Sequence, residues 1–205
     1  MRIAILGGTG AFGLALAARL VEAGDEVVIG SRDAERAWEK AREVGASGAA
    51  NEDAISDADL VVLAPKADAA LATAAALADV LGGTPLLSVA SELRVTSVGA
   101  LPGSDPRSLA ERAQELVGAP VVAGLHSLAA GKLAHGRPDE DAFVCGDDAG
   151  AKGLALELAA KVVAGRALDA GPLASARALE GMTAMIVNLN KHYKGHAGVR
   201  VTGLP

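Results

Sequence analysis

The chain has 205 residues, of which 51% are hydrophobic and 21% charged, and its formal net charge is −6. This length and hydrophobicity suit one compact domain, or one domain with a small appendage, and they exclude a disordered chain. The acidic balance argues against a general binder of nucleic acid or membrane surfaces. Two Phe, one Trp and one Tyr provide no platform for stacking bases. A single cysteine, Cys145, excludes an intramolecular disulfide and a cysteine-based metal cage.

The apolar stretch at the amino terminus is interrupted by glycines at positions 7, 8, 10 and 13, which disfavours a secretory signal peptide. Elsewhere the longest uncharged apolar stretch, residues 69–78, is far shorter than the ~20 residues that span a bilayer. We therefore expect a cytoplasmic protein with no membrane and no nucleic-acid partner.

In the first half of the chain, short apolar runs typical of buried strands alternate with helical patterns. Gly24-Asp25 ends the first helix, Pro65 stops a strand, and Gly82-Gly83 closes a later helix. The expected strands are residues 3–6, 26–29, 60–64 and 86–90, and the expected helices are 14–21, 33–44, a start at 51–54, and 67–80. Such alternation with short connections predicts parallel strands joined by crossovers. The fold class is therefore α/β, a Rossmann-type doubly wound parallel sheet.

The second half begins with the least regular part of the chain, residues 91–107, which is rich in Gly, Pro and Ser. After it we expect helices at 109–117, 152–163 and 172–190, and strands at 121–125, 142–144 and 166–168. A soft boundary near Ala119-Pro120 would divide the chain into residues 1–119, a dinucleotide-binding Rossmann domain, and residues 120–205, a small carboxyl-terminal α/β appendage.

A glycine pattern stands between the first expected strand and the first expected helix. One glycine suits a tight turn, one allows a pyrophosphate to approach the backbone, and one allows the helix to pack closely on the strand. The free N–H groups at the start of that helix would face the phosphates. A glycine-rich turn without a ligand is the alternative. The candidate pyrophosphate site consists of Gly8, Thr9, Gly10, Ala11, Phe12 and Gly13.

The end of the second expected strand indicates which dinucleotide would bind. NAD sites place an acidic residue there, whereas this chain has Ser31 and Arg32, followed one helical turn later by Arg36. Charge-assisted hydrogen bonds of roughly 1.5–3 kcal/mol each would hold a 2′-phosphate. Asp33 is better placed to serve the start of the next helix. The residues favour NADP, with a solvated Arg36 paired to Asp33 or Glu39 as the alternative.

Several other kinds of site are disfavoured. A short-chain dehydrogenase needs a Tyr-x-x-x-Lys pair, but four positions after Tyr193 stands Ala197. His192 and His196 are four residues apart in a glycine-rich, basic region, which disfavours metal binding, so we expect no metal site. The same region concentrates positive charge at one end of an acidic chain. It is either a solvated tail or a surface for an anionic second ligand.

Several short segments of the sequence are characteristic enough to be compared with known families. They are Ile5–Gly10, Gly30–Arg32, Val144–Asp148 and Leu168–Leu173, followed by Ala176–Glu180 and Asn188. In these segments the sequence resembles, from end to end, the NADPH-dependent reductases of coenzyme F420, a deazaflavin. The resemblance implies reversible hydride transfer between C4 of the nicotinamide and C5 of the deazaflavin, with NADP and coenzyme F420 stacked in one cleft and no obligatory proton donor.

By position, the resemblance places His126 near the stacked rings and assigns Arg177 and Thr183 to the deazaflavin pocket. Ala64 would lie at the loop that flanks the nicotinamide. The basic tail, with Lys194 and Arg200, would meet the phosphate and glutamyl tail of the deazaflavin. An ion pair with Glu180 is the structural alternative for Arg177.

Two other functions remain open at this point. One is an NADP-dependent reductase of a flavin, a ferric complex or an imine on the same scaffold. The other is a non-catalytic module that senses NADP. Alanine-rich helices near the carboxyl terminus would allow a second copy to pack closely, and we expect a homodimer or higher homo-oligomer.

Overall fold

The computed structural model describes residues 1–204. The strands found in this part of the chain are β1 (Arg2–Leu6), β2 (Glu26–Ser31), β3 (Ser47–Ala50), β4 (Leu60–Leu63), β5 (Leu86–Ser88), β6 (Leu93–Thr96), β7 (Gly99–Pro102), β8 (Val121–Gly124), β9 (Ala142–Gly146) and β10 (Ala167–Asp169). Eight of these described strands form one sheet in the order β10-β9-β8-β5-β4-β1-β2-β3, and β6 and β7 form a separate antiparallel hairpin.

Helices cover both faces of this sheet. They are α1 (Ala11–Glu22), α2 (Ala34–Arg42), α3 (Asn51–Ile55), α4 (Ala67–Ala76), α5 (Ala78–Leu81), α6 (Leu109–Gln114), α7 (Ala130–His135), α8 (Ala149–Val162) and α9 (Ala176–Tyr193), with a 3-10 turn at Leu173–Ser175. Because side chains alternate along a strand, Ile3 and Ile5 of β1 join a core with α1, α2, α7 and α8, whereas Ala4 and Leu6 join a second core with α3 to α6 and α9. The predicted doubly wound α/β class is confirmed.

The sheet departs from the parallel arrangement at one pair. The strands β8 and β9 are antiparallel, with Val122 opposite Gly146, and β10 runs parallel to β9. The parallel arrangement predicted for the first half of the chain holds for β1 to β5, whereas no direction was predicted for β9 and β10 of the carboxyl-terminal appendage. An apolar run indicates a buried strand, but it does not encode the strand's direction.

The sheet is continuous across the expected domain boundary. The residues Ala119-Pro120 immediately precede β8, and β8 pairs in parallel with β5, with Leu86 opposite Val121. Residues 1–119 and 120–205 therefore share one sheet, and their division into two domains stays a prediction.

Three elements of the structure were not predicted from the sequence patterns. The strand β3 consists of small residues, and Gly48 lies so close to α2 that a Cβ there would be 2.4 Å from the carbonyl carbon of Ala37. The β6–β7 hairpin lies in the segment expected to be irregular, and α7 lacks a helical apolar pattern. Within residues 1–204, no helix combines the length and the apolar character needed to cross a bilayer.

Candidate functional site

The strand order reverses beside β1. From β1 the chain builds β2 and β3 on one side, and it then returns to place β4 on the other side. Loops that leave the carboxyl ends of β1 and β4 consequently diverge, and a doubly wound sheet has its ligand crevice at such a point. Two adjacent cavities open at this edge of the sheet, and both include residues of the two loops.

The loop after β1 has the close packing that its glycines predict. A Cβ on Gly13 would lie 2.6 Å from Gly8 Cα, and a Cβ on Gly8 would lie 2.7 Å from the carbonyl oxygen of Ile5. Gly10 instead has its nearest neighbour at 3.6 Å and precedes α1 without a side-chain cap. The first N–H groups of α1 are therefore available to an anion.

Gly7 is a further member of this loop that the motif did not identify. Its φ of +70° is in the left-handed region, and a Cβ there would lie 2.7 Å from Pro65 N. Gly7 therefore allows the loops after β1 and β4 to touch at their base, where they leave the sheet and before they diverge. The adjacent glycines Gly7-Gly8 were the signal available in the sequence.

The first cavity, of about 340 Å³, lies at the carboxyl end of β2. Asp33 accepts a hydrogen bond from Arg36 N at 3.1 Å and so caps α2, as expected, while Ser31 Oγ accepts from Asp33 N at 3.2 Å. Within residues 1–204 the side chains of Arg32 and Arg36 form no ion pair, so the predicted alternative pairing of Arg36 is not found. The lining residues are Gly7, Thr9, Ser31, Arg32, Asp33, Arg36, Asn51, Pro65, Ala69 and Thr73.

The second cavity, of about 320 Å³, lies where the carboxyl ends of β1, β4, β5 and β8 meet α9. It brings together predicted residues from both halves of the chain, and its surface is largely apolar. The lining residues are Gly10, Ala11, Phe12, Ala64, Pro65, Lys66, Val89, Ala90, Ser91, Leu125, His126, Leu128 and Thr183.

His126 is a buried, neutral member of this cavity wall. Its ring Nε2 lies 3.2 Å from the carbonyl oxygen of Ala90, so this nitrogen carries the proton and donates it. Burial lowers the pKa of His126 to about 4, although the carbonyls of Ala90 and Gly124 act in the opposite direction. The imidazole is uncharged at neutral pH and has no imidazolium proton to give.

Thr183 holds the turn that carries His126. Its hydroxyl donates to the carbonyl oxygen of His126 at 2.8 Å and accepts from Ser91 Oγ at 2.9 Å. The turn needs such support because Leu125, which is not a glycine, has a φ of +65°. Thr183 is thus a positioning residue, and Ser91 is a second one that the sequence patterns missed.

Arg177 lines neither cavity. It pairs with Glu180 at 3.2 Å and donates to the carbonyl oxygen of Gly103 at 2.6 Å, next to the end of β7. Glu180 is buried, accepts from Leu109 N at 2.6 Å, and has its pKa raised by burial. The structure therefore places Arg177 in the predicted alternative, an ion pair, and does not bring it beside His126.

The basic tail is docked on the fold. Val201 N donates to Asp141 at 2.8 Å, and Arg200 pairs with Asp139 at 3.2 Å. The Arg166 guanidinium holds the pKa of Asp141 well below its usual range. Within residues 1–204 Lys194 has no ion pair, and no three metal-ligating side chains cluster around His192, His196 or elsewhere.

The segments around Cys145 and Leu173 have structural roles. Asp147 accepts from Leu173 N at 3.0 Å, and Gly146 N donates to the carbonyl of Gly171 at 3.0 Å. Asp148 caps α8 by accepting from Ala151 N at 2.8 Å. Because β9 runs against β8, these turns lie at the sheet edge opposite His126.

A doubly wound sheet with a glycine loop at its switch point is the fold of a Rossmann-type dinucleotide-binding protein, and arginines in place of an acidic residue after β2 are typical of NADP-dependent oxidoreductases. A family model described as coenzyme F420-dependent NADP oxidoreductase matches residues 2–92. F420-dependent NADP reductases of Methanothermobacter marburgensis and Methanothermobacter thermautotrophicus are each 37% identical over 227 residues, covering 100% of this chain and 100% and 96% of theirs. The chain belongs to the family of F420-dependent NADP oxidoreductases.

A solved structure agrees with this assignment over nearly the whole fold. The crystal structure of a putative F420-dependent NADP reductase from Arthrobacter sp. FB24 superposes with a TM-score of 0.86 at 28% identity. The match covers 99% of this chain and 100% of that one.

Proposed function

We propose that the protein catalyses reversible hydride transfer between NADPH and coenzyme F420. The observation that carries this proposal is the continuity of the two cavities. The loop after β1 lines both of them, with Thr9 in the first cavity and Gly10 in the second. A dinucleotide held along that loop would have its 2′-phosphate near Arg32 and its nicotinamide near Ala64 and His126.

The two ends of NADP would be held by different chemistry. The loop from Gly8 to Gly10 and the first turn of α1, up to Gly13, would bind the pyrophosphate, because no side chain caps this helix and its glycines leave room. Ser31, Arg32 and Arg36 would bind the 2′-phosphate. Phe12 and Ala64 would contact the nicotinamide in the largely apolar second cavity.

The deazaflavin would share the second cavity, with residues 120–205 completing its site. The nicotinamide and the deazaflavin supply the redox chemistry, so the protein's part is to align the rings and exclude water. The neutral His126 fits this part because it forms a fixed wall, held through Thr183, and does not exchange a proton near neutral pH.

The experiment mixes the purified protein with NADPH and F420 and follows the visible absorbance band of oxidised F420. Bleaching at catalytic protein concentration is the expected result. Turnover with a free flavin, a ferric complex or an imine, but not with F420, would favour the reductase alternative. Saturable NADPH binding without turnover of any acceptor would favour a sensing module.

Self-association and location are part of the same proposal. Met185 and Tyr193 on α9 expose 50% and 74% of their surface, and Val95 on β6 exposes 86%. A second copy covering these apolar side chains would give the homodimer or higher homo-oligomer expected from the sequence. The cytoplasmic location likewise stays a prediction.

A further inference from the structure

Asn51 is a buried polar side chain without a partner. It is the first residue of α3 and is 7% exposed. Its Oδ1 is fully buried and accepts no hydrogen bond within residues 1–204. Buried side-chain amides in folded proteins normally have hydrogen-bond partners, but within residues 1–204 neither amide atom of Asn51 has one, so its Nδ2 is a donor free to bind a ligand of the adjoining cavity.

The sheet places Asn51 beside Arg32. The parallel strands β2 and β3 are in register with Ser31 opposite Ala50, so the residues that follow them, Arg32 and Asn51, emerge side by side. Asn51 lines the first cavity together with Arg32 and Arg36. It also lines an adjoining cavity of about 320 Å³ that contains Arg32 again and is walled by α4.

The orientation of the amide follows from Gly30. A Cβ on Gly30 would lie 2.9 Å from Asn51 Oδ1, so the oxygen rests over this glycine. Because the two amide atoms diverge from Cγ, Nδ2 points away from Gly30. The glycine in Gly30-Ser31-Arg32 thus leaves space for the Asn51 side chain.

We propose that Asn51 is a specificity-determining residue whose Nδ2 donates a hydrogen bond to the 2′-phosphate of NADP, beside Arg32 and Arg36. The inference rests on the proposed function in one respect, that the ligand of the first cavity is NADP. An aspartate at this position has nearly the same shape, but it would repel the phosphate and would accept from a ribose 2′-hydroxyl instead. The uncharged amide therefore contributes to the preference for the phosphorylated dinucleotide.

The test compares two nucleotides that differ by this phosphate, 5′-AMP and 2′,5′-ADP (adenosine 2′,5′-bisphosphate), by titration calorimetry. The wild-type protein should prefer 2′,5′-ADP. In N51D the affinity for 2′,5′-ADP should fall by about tenfold or more, while the affinity for 5′-AMP holds or rises, because a repulsive charge replaces a donor. In N51A, which removes the donor without adding charge, the loss for 2′,5′-ADP should be smaller but still selective.

The other possible outcomes contradict either the inference about Asn51 alone or the proposed function as well, and they can be distinguished. If the wild-type protein prefers 2′,5′-ADP but N51D keeps the same ratio of affinities, the inference is wrong and the proposed function stands. Equal loss of both nucleotides would show that Asn51 contacts the adenosine instead, which also overturns it. A wild-type protein that binds both equally would overturn the proposed function together with the inference. If thermal melting shows N51D to be unfolded, the ratio in N51A decides.

Discussion

Thr183 donates a 2.8 Å hydrogen bond to the backbone carbonyl of His126, a residue 57 positions earlier in the chain. This bond joins α9 to the turn after β8, so a helix from the last part of the chain supports one wall of the second cavity. The hydroxyl hydrogen is used within the protein, and Thr183 influences the site through the position of His126.

The variant Thr183→Val should lose this support while keeping the shape of the side chain. We expect the free energy of unfolding to fall by about 1–3 kcal/mol, because the carbonyl of His126 loses its donor in a buried place. The turnover number with F420 should also fall. Thr183→Ser is the matched control, since it keeps the hydroxyl, and it should restore both values. Urea unfolding and F420 bleaching measure them, and equal defects in the two variants would contradict the hydrogen-bonding role.

The arginines of the first cavity should contribute to the binding of NADPH but not to the binding of NADH. Replacing Arg32 or Arg36 with alanine removes a cation that has no ion pair within residues 1–204. The loss of a charge-assisted bond of about 1.5–3 kcal/mol would raise the KM for NADPH by roughly tenfold to a hundredfold. The KM for NADH should change little.

Arg42→Ala is the matched control for these two variants. Arg42 ends the same helix α2, and its guanidinium lies over the ring of Trp38 at 4.8 Å from the centroid. It lines neither cavity, so its loss should leave the KM for NADPH unchanged. A comparable rise in all three variants would mean that general positive charge, not the first cavity, attracts the dinucleotide.

Interactions between residues that are close in the sequence could be predicted from it, whereas contacts between distant segments could not. Gly8 and Asp33 could be interpreted because a turn and a helix cap involve residues a few positions away. The side chain of Asn188 forms hydrogen bonds with both the N–H and the carbonyl of Ala100, 88 residues away, and so joins α9 to the β6–β7 hairpin. No pattern in the neighbouring sequence of either residue indicates this contact. The role of Arg177 was open for the same reason, since its partner Gly103 is 74 residues away.

Arg177 provides a direct test of its placement. In Arg177→Ala the buried carboxylate of Glu180 would lose its counter-charge, so the free energy of unfolding should fall by about 2 kcal/mol. Because Arg177 lines neither cavity, the KM for F420 should be largely unchanged in the folded fraction. Adding Glu180→Gln should recover part of the stability. A large rise in KM for F420 with unchanged stability would instead return Arg177 to the deazaflavin pocket.

In the structure, two basic residues of the tail, Lys194 and Arg200, have different surroundings, although the same role was expected for both from the sequence. Arg200 already pairs with Asp139, whereas Lys194 has no ion pair within residues 1–204. If the tail meets the phosphate and glutamyl groups of F420, Lys194→Ala should raise the KM for F420 and flatten its salt dependence, with a smaller effect for Arg200→Ala. The KM for NADPH serves as the internal control and should stay constant. An unchanged KM for F420 in both variants would refute the role of the tail.

Burial of His126 should make the protein less stable in mild acid. The unfolded chain protonates this imidazole near its ordinary pKa of 6.5, whereas in the folded protein the pKa is about 4. Between these values the unfolded state binds more protons, so the free energy of unfolding falls as the pH is lowered, by about 3 kcal/mol over the window.

The variant His126→Gln should reduce this pH dependence of the free energy of unfolding when urea unfolding is measured from pH 7 to pH 4. Asp141, whose pKa is lowered by Arg166, acts only below its ordinary value of 3.8, and the opposite contribution of Glu180 is common to both proteins. Identical slopes in the wild type and the variant would show that His126 is not buried as a neutral base.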